Sequence, residues 1–411
     1  MSSSKRNGAA FLVCITFAIR GRPLVDQQLL SVPPQDRDLE WIKASLQSAV
    51  ALEHATLPLY LAAMFSLEVQ NYTTYNLIRS VVMEEMVHMA IGCNILAALG
   101  EKPSIKKLDP LSPSEGLPGG VEPDLPIVFA QLSKNQLRNF LRLETPISLL
   151  ATKYRDEKYP SIGAFYSKIK AAISANKGEI NATAKKVLSA PANTYPNQVG
   201  DNIGFTVFSI EDKRSPVQQF LDGIDEIIEQ GEGSNAQDLY AQNFDGEGSH
   251  YARFAEIYYG AQLLVPTPKP KLTPETETEF FKGHQIPWPN VTNVLVVPRD
   301  GYKKLLELDP EGASVKSNLC AFDDKYTEIM TDLDLMWNGP AEESWPTFGK
   351  AVAAMTDLRV LSCFNIMRSQ IPANLIARLP ELYGDEAKIM ARYTDLSAPV
   401  FYGPRFINQN A

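Results

Sequence analysis

VVMEEMVHMAIGCNILAALG, residues 81–100, has apolar side chains at helical spacing and ends at a glycine, as is typical of a buried helix. Three polar side chains, Glu84, Glu85 and His88, interrupt this apolar run. Glu85 and His88 form an E-x-x-H pattern, and residues three apart lie about 60° apart around a helix, so both can face one point. Burying carboxylates without a partner is costly. The segment therefore predicts a site that requires them.

A second E-x-x-H pattern lies far downstream, where Glu247 precedes His250 by three residues. Each pattern follows a predicted helix that carries a glutamate in an apolar context. These glutamates are Glu53 in AVALEHATLPLY and Glu144 in NFLRLETP. The order Glu, E-x-x-H, Glu, E-x-x-H is the ligand order of ferritin-like di-iron and di-manganese bundles.

The residue types suit such a metal centre. Iron and manganese take carboxylate and imidazole ligands, and four carboxylates largely balance two divalent charges inside a bundle. One E-x-x-H on a surface helix would be weak evidence, but two copies in apolar contexts favour a metal site. We predict two Fe ions, with Mn as the alternative, bound by Glu53, Glu85, His88, Glu144, Glu247 and His250.

Two neighbours of these ligands point elsewhere on an ideal helix. Glu84 is rotated by about 100° from Glu85, so it is expected either to face solvent or to hydrogen-bond to a ligand. His54 is rotated off the Glu53 face in the same way, and we expect it on the surface. His284 lies in a proline-rich connector and could cover the site, but nothing in the sequence requires this.

Two further side chains are candidates for the surroundings of the metals. Tyr60 lies two turns beyond Glu53 on one face, where it either lines a pocket or is an ordinary core tyrosine. Arg253, one turn after His250, could hold a substrate carboxylate, but a hydrogen bond to a metal ligand is the preferred reading. Glycines on both sides of Glu247 suggest that the last helix begins late or that the backbone comes close to the metals.

The phrases LQSAVALEHATLPLYLAAMFSL, VVMEEMVHMAIGCNILAALGEKPSI and SHYARFAEI resemble the ferritin-like domain of the iminophenyl-pyruvate dimer synthase family, in a stand-alone form. That family is known from violacein-type bisindole pathways. The resemblance runs from about residue 38 towards the C-terminus and implies metal ligands at the same six positions. The bisindole-forming members are much longer chains, so the resemblance does not by itself carry their coupling reaction over to this chain.

The predicted fold is mainly α, a ferritin-like four-helix bundle with long loops and additional C-terminal helices. Residues 1–37 form an N-terminal arm or strand, 38–264 the dimetal bundle, and 265–411 a proline-rich connector with a C-terminal helical extension packed on the bundle. Pro58 is expected to kink the first helix or end it early. Residues 179–214 are predicted irregular. Predicted bundle helices cover about 38–68, 74–99, 133–146, 162–177, 216–230 and 236–264.

Composition narrows the function classes. A net charge of −9 without a Lys/Arg stripe argues against a nucleic-acid partner. The four cysteines lie far apart, which favours reduced thiols and a cytoplasmic location. An apolar run after Lys5 and Arg6 has signal-peptide length, but it is too short to span a bilayer, and no membrane partner is expected.

The predicted function is that of a non-haem dimetal oxidase or oxygenase that uses O₂ on a small organic substrate in secondary metabolism, with an external electron donor where one is needed. One alternative is oxidative coupling or dehydrogenation of an amino-acid-derived imine. Another is iron storage or detoxification, and a third is a scaffold that has lost its metals. The segments 109–126 and 266–289 are candidate lids, and the sequence leaves the oligomeric state open.

Overall fold

A computed structural model describes residues 29, 31–68, 72–109, 117–122, 125–145, 161–200, 204, 206–231, 248–267 and 276–411. Within these ranges the chain is mainly helical, and the predicted fold class is confirmed. Residues 1–28 and residue 30 of the predicted N-terminal arm lie outside the described part of the chain. A single 3₁₀ turn, Pro34–Asp36, precedes the first long helix.

Two 27-residue helices form the centre of the molecule. Helix α1, Leu39–Phe65, begins where the Asp38 side chain accepts a hydrogen bond of 2.9 Å from the Trp41 amide. It continues past Pro58 to Phe65, so of the two expected effects of this proline, a kink or an early end, the early end does not occur. Helix α2, Tyr72–Ala98, packs along α1. Both are long and apolar enough to span a membrane, but 78% of the apolar window in each is buried inside the protein.

Five shorter helices complete the region around these two. They are α3 Lys134–Leu143, α4 Ile162–Ala175, α5 Lys177–Leu188, α6 Pro216–Gly231 and α7 His250–Tyr259. Helix α3 packs on α7, α4 packs on α6, and α2 contacts both α6 and α7. A cluster of aromatic rings ties α1, α3 and α7 together, since Tyr60, Phe140 and Phe254 have centroids 4.8–5.0 Å apart.

Two predicted boundaries in this region were wrong. Helix α5 lies in the segment predicted to be irregular. The prediction missed this helix because only Ile180 and Ala184 of its residues are buried, so its apolar pattern is weak. The last predicted helix was extended too far, since Gly260 adopts a left-handed conformation (φ 75°) and ends α7 before residues 261–264. Its predicted beginning, residues 236–247, lies outside the described part of the chain.

The C-terminal extension is built on a helical hairpin. After the connector come α8 Lys303–Leu308, α9 Gly312–Asn338 and α10 Ser344–Val360, and α9 packs along α10. A π-helical turn, Leu361–Asn365, continues α10. Three short helices follow, α11 Ala373–Ile376, α12 Leu379–Tyr383 and α13 Glu386–Tyr393. The extended tail is held by isolated bridges from Phe401 to Val294 and Gln370.

Candidate metal centre

Five of the six predicted ligands come from four separate segments and meet in the interior. Glu53 is on α1, and Glu85 and His88 are on α2. Glu144 is the first residue after α3, whose start is capped by Ser133, and His250 is the first residue of α7. The side chains are at most 2% exposed. The sixth, Glu247, lies outside the described residues.

The distances place these groups around one point. His88 Nδ1 is 3.9 Å from both Glu53 Oε2 and Glu85 Oε2. His250 Nδ1 is 3.0 Å from Glu85 Oε1 and 3.7 Å from Glu144 Oε2. The two imidazoles are stacked, with ring centroids 5.3 Å apart. One ligand atom each from Glu85, His88 and His250 lies within 4.8 Å of the other two. A shared metal site needs this convergence.

Hydrogen bonds on the far side of each imidazole orient it. His250 Nε2 lies 3.0 Å from Glu84 Oε2, and a carboxylate can only accept, so Nε2 carries the hydrogen. His88 Nε2 lies 2.8 Å from the Gln230 side-chain oxygen, which likewise accepts. In the neutral tautomers this leaves the Nδ1 lone pairs of both histidines facing the carboxylates.

Two buried tyrosines hold the outer carboxylates. Tyr166 on α4 donates to Glu53 Oε1 at 2.5 Å, and Tyr60 on α1 donates a short hydrogen bond to Glu144 Oε1. Burial and the neighbouring carboxylates raise the pKa of both phenols, so they remain donors at neutral pH. Each tyrosine donates its hydrogen bond to one oxygen of the carboxylate, and the other oxygen faces the imidazoles.

Arg253 acts on the metal centre through Glu84. Its Nη2 donates to Glu84 Oε2 at 2.5 Å, while Nη1 donates to Ser80 Oγ at 2.9 Å and Nε to the Gly248 carbonyl at 2.6 Å. Burial alone would raise the pKa of Glu84, but the hydrogen bond from His250 and the charges of His250 and Arg253 outweigh burial and lower it. Glu84 is therefore held as a carboxylate that orients His250.

Two of the inward-facing atoms lack hydrogen-bond partners within the described part of the chain. Among the described residues, Glu85 Oε2 and His250 Nδ1 are buried without a hydrogen bond, since the close approach of Nδ1 to Glu85 Oε1 lacks hydrogen-bond geometry. Burial raises the pKa of Glu53, and the nearby Glu85 raises it further. Burial lowers the pKa of His88 to about 4, which keeps this imidazole neutral and able to bind a metal. The donor set fits iron or manganese.

The structure also corrects and extends the predicted surroundings. His54 was expected on the surface but is 3% exposed, and its Nε2 lies 2.6 Å from the Tyr326 hydroxyl of α9. That expectation was wrong because the C-terminal extension covers this side of α1. His284 is exposed and is not among the residues around the cluster. Tyr166 and Gln230 were missed, because nothing in their local sequence separates them from ordinary core and surface residues.

A helical bundle in which carboxylates and imidazoles from four segments meet at one buried point is the architecture of dimetal-carboxylate proteins. The family model named Ferritin-like matches residues 46–259. The chain belongs to the ferritin-like family.

One solved structure similar to the chain is a ferritin-like protein from Caulobacter vibrioides, with a TM-score of 0.54 and 20% sequence identity. The alignment covers 79% of this chain and 95% of that one. At this identity the likeness shows the fold alone. No curated protein sequence matches the chain. The finer resemblance to iminophenyl-pyruvate dimer synthases stays a prediction, as does metal binding by the individual ligands.

Proposed function

We propose that the chain is a non-haem dimetal oxidoreductase, with two iron ions, or alternatively manganese, that oxidises a small organic molecule with O₂. The observation that carries the proposal is the set of buried, inward-facing donor atoms without hydrogen-bond partners, Glu85 Oε2 and His250 Nδ1. Buried polar atoms in folded proteins nearly always have partners. These two atoms would have partners if cations were bound, and a cluster of carboxylates needs cations to balance its charge.

The ions would be held by Glu53, Glu85, His88, Glu144 and His250, together with Glu247. When bound, a pair of such ions supplies redox chemistry with O₂ that amino-acid side chains lack. The chain itself fixes the geometry, because Gln230 and Glu84 orient the imidazoles and the two tyrosines orient the outer carboxylates. Ile162, Ile227 and Ile228 give the same cavity an apolar wall.

The lining also bears on the substrate. The described residues around the cavity are carboxylates, imidazoles, one tyrosine, glycines and isoleucines, without a lysine or arginine among them. Arg253 is engaged by Glu84, Ser80 and the Gly248 carbonyl, which suits a structural role. Next to the described lining residues, only the ions themselves would offer a positive charge to a substrate carboxylate. An amino-acid-derived imine, the substrate class that the family resemblance implies, has such a carboxylate.

Iron oxidation for storage or detoxification is the second candidate, and the size of the cavity favours it. Between the described residues the cavity measures about 10 Å³, the space of about one water molecule. Small inorganic reactants need no more than this beside the ions. An organic substrate would require the isoleucine side chains to move apart.

Metal analysis tests the shared part of both proposals. Protein from iron- and manganese-supplemented cells is expected to hold about two ions per chain, in the stoichiometry of a dimetal centre. Glu85→Gln is expected to lose most of them. Asp309→Asn is the matched control, because Asp309 is a buried carboxylate in the C-terminal extension that accepts from the Tyr402 hydroxyl at 2.8 Å. Metal content near zero in wild-type protein under both supplements would remove the proposal.

Two activity assays then separate the candidates. With a reductant and indole-3-pyruvate imine, an oxidoreductase is expected to consume O₂ in proportion to substrate converted, and a dimeric product would identify the coupling reaction. With Fe²⁺ alone, an iron-storage protein is expected to take up many ions per chain. Uptake that stops at about two ions per chain excludes storage.

A further inference from the structure

Helix α10 has an apolar face turned towards solvent. Large hydrophobic side chains are usually buried, and scattered exposed ones need no explanation. Here four of the strongly exposed ones fall on a single helix and the π turn that continues it. They are Trp345 (53% exposed), Val352 (44%), Val360 (47%) and Phe364 (58%). A continuous row of this kind marks an interaction surface.

The face continues between these large side chains. Gly349, Ala353 and Thr356 are exposed as well, and at 100° per residue the six positions from Trp345 to Val360 fall within an arc of about 100°. A Cβ atom at Gly349 would meet nothing within 4 Å, so the backbone is open to a neighbour there. The other side of α10 carries the buried residues Thr347, Ala351, Ala354 and Leu358 and packs on α9.

Charges along one edge of this face are arranged for a twofold pair. Lys350 and Asp357 are both exposed, lie seven residues apart and therefore occupy the same edge. If two such helices lie antiparallel about a twofold axis between Ala353 and Ala354, Lys350 of each copy meets Asp357 of the other. The symmetry thus makes two opposite-charge pairs from one sequence.

We propose that the apolar face of α10, residues 345–364, is a homodimer interface in which α10 packs antiparallel against α10 of a second copy. Trp345 of one copy lies between Val360 and Phe364 of the other, and Gly349 allows the helices to approach. Two helix faces about 30 Å long and 10 Å wide, with their flanking residues, bury on the order of 1,000 Å² in total, the lower limit of specific interfaces. The dimer is therefore concentration-dependent.

Sedimentation velocity of the full chain tests this proposal. Between about 1 and 100 μM the wild type is expected to shift from monomer towards dimer, as an interface of this size implies. Val352→Glu, which places a charge midway along the length of the face, is expected to raise the dissociation constant at least tenfold. Ile210→Glu is the matched control, because Ile210 is also exposed (48%) but lies outside α10. A chain that stays monomeric throughout, or a dimer that Val352→Glu leaves unchanged, overturns the proposal.

A charge exchange tests the antiparallel arrangement itself. Lys350→Glu alone places like charges opposite each other and is expected to weaken the dimer. Asp357→Lys alone does the same, although it also approaches Lys325, whose Nζ lies 3.6 Å from Asp357. The double variant restores both opposite-charge pairs and is expected to bind within about threefold of the wild type. A double variant as weak as either single one contradicts the twofold arrangement.

Discussion

Replacing Glu53 by glutamine should stabilise the metal-free protein and abolish its response to metal. Glu53 is 1% exposed, and burial together with Glu85 raises its pKa. A raised carboxyl pKa costs stability at every pH above the unfolded value. Glutamine keeps the shape and still accepts the hydrogen bond from Tyr166, but it removes the charge. Natural sites are often destabilised in this way by the function they serve.

The distances set the size of the effect. Glu53 Oε2 and Glu85 Oε2 both lie 3.9 Å from His88 Nδ1. At a separation of about 8 Å, the largest that this geometry allows, two unit charges repel by about 2 kcal/mol with an effective dielectric constant of about 20. The hydrogen bond from Tyr166 favours the carboxylate and offsets part of this repulsion. We therefore expect Glu53→Gln to raise the free energy of unfolding of the metal-free protein by about 1–2 kcal/mol at pH 7. The gain should disappear below about pH 4.5, where the carboxyl group is protonated in the folded and the unfolded chain.

Thermal unfolding with and without metal measures both effects on one variant. In the wild type, Fe²⁺ or Mn²⁺ at a hundred times the dissociation constant should add about 2.7 kcal/mol of stability. In Glu53→Gln most of this increment should be missing, whereas the control Asp309→Asn should retain it. An equal metal-induced shift in wild type and Glu53→Gln would show that Glu53 is not a ligand. A metal-free variant less stable than the wild type would refute the electrostatic reasoning.

Three further predictions concern the surroundings of the cluster. Arg253→Ala removes the cation that holds Glu84. We expect this change to weaken metal binding about 10- to 100-fold, as measured by titration calorimetry. Unchanged affinity would show that the contact between Arg253 and Glu84 does not influence the metals. Burial would lower the pKa of His250, but the surrounding carboxylates of Glu144, Glu84 and Glu85 outweigh it and raise the pKa. Metal binding should therefore displace a proton, and the affinity should rise by up to about tenfold per pH unit as the pH increases towards the raised pKa. Calorimetry in two buffers of different ionisation enthalpy counts the protons released, and a count of zero would contradict the expectation. Phe254→Ala, at a fully buried ring packed on Tyr60, should cost about 3–5 kcal/mol in urea unfolding, and a loss below about 1 kcal/mol would mean that the cavity collapses.

The sequence predicted those parts of the site that depend on local spacing. The E-x-x-H pattern of α2 and the apolar runs of α1 and α2 are periodic, so the two helices and the shared direction of Glu85 and His88 followed from helix geometry. Glu53 was placed by the order of the pattern, and so were Glu144 and His250. The structure puts Glu144 and His250 at helix termini, in line with the late start of the last helix that the glycines around Glu247 suggested.

The sequence could not predict contacts that depend on tertiary packing. Tyr166 and Gln230 reach the cluster from α4 and α6, and no spacing relates them to the ligands they contact. His54 was misplaced because an isolated amphipathic helix has one buried face, whereas α1 is covered on a second side by α9. Helix α5 escaped because a helix with few buried residues shows little apolar periodicity.

The contact between His54 and Tyr326 limits how the two halves of the chain can be separated. The imidazole next to Glu53 depends on a hydroxyl from the extension, and Asn94 near the end of α2 accepts a hydrogen bond of 2.8 Å from Trp337 in the same way. A chimera that joined this bundle to a foreign extension would lose both hydrogen bonds, at about 0.5–1.5 kcal/mol each. A recombinant chain with another extension therefore has to keep both residue pairs, His54 with Tyr326 and Asn94 with Trp337, or replace both members of each pair together.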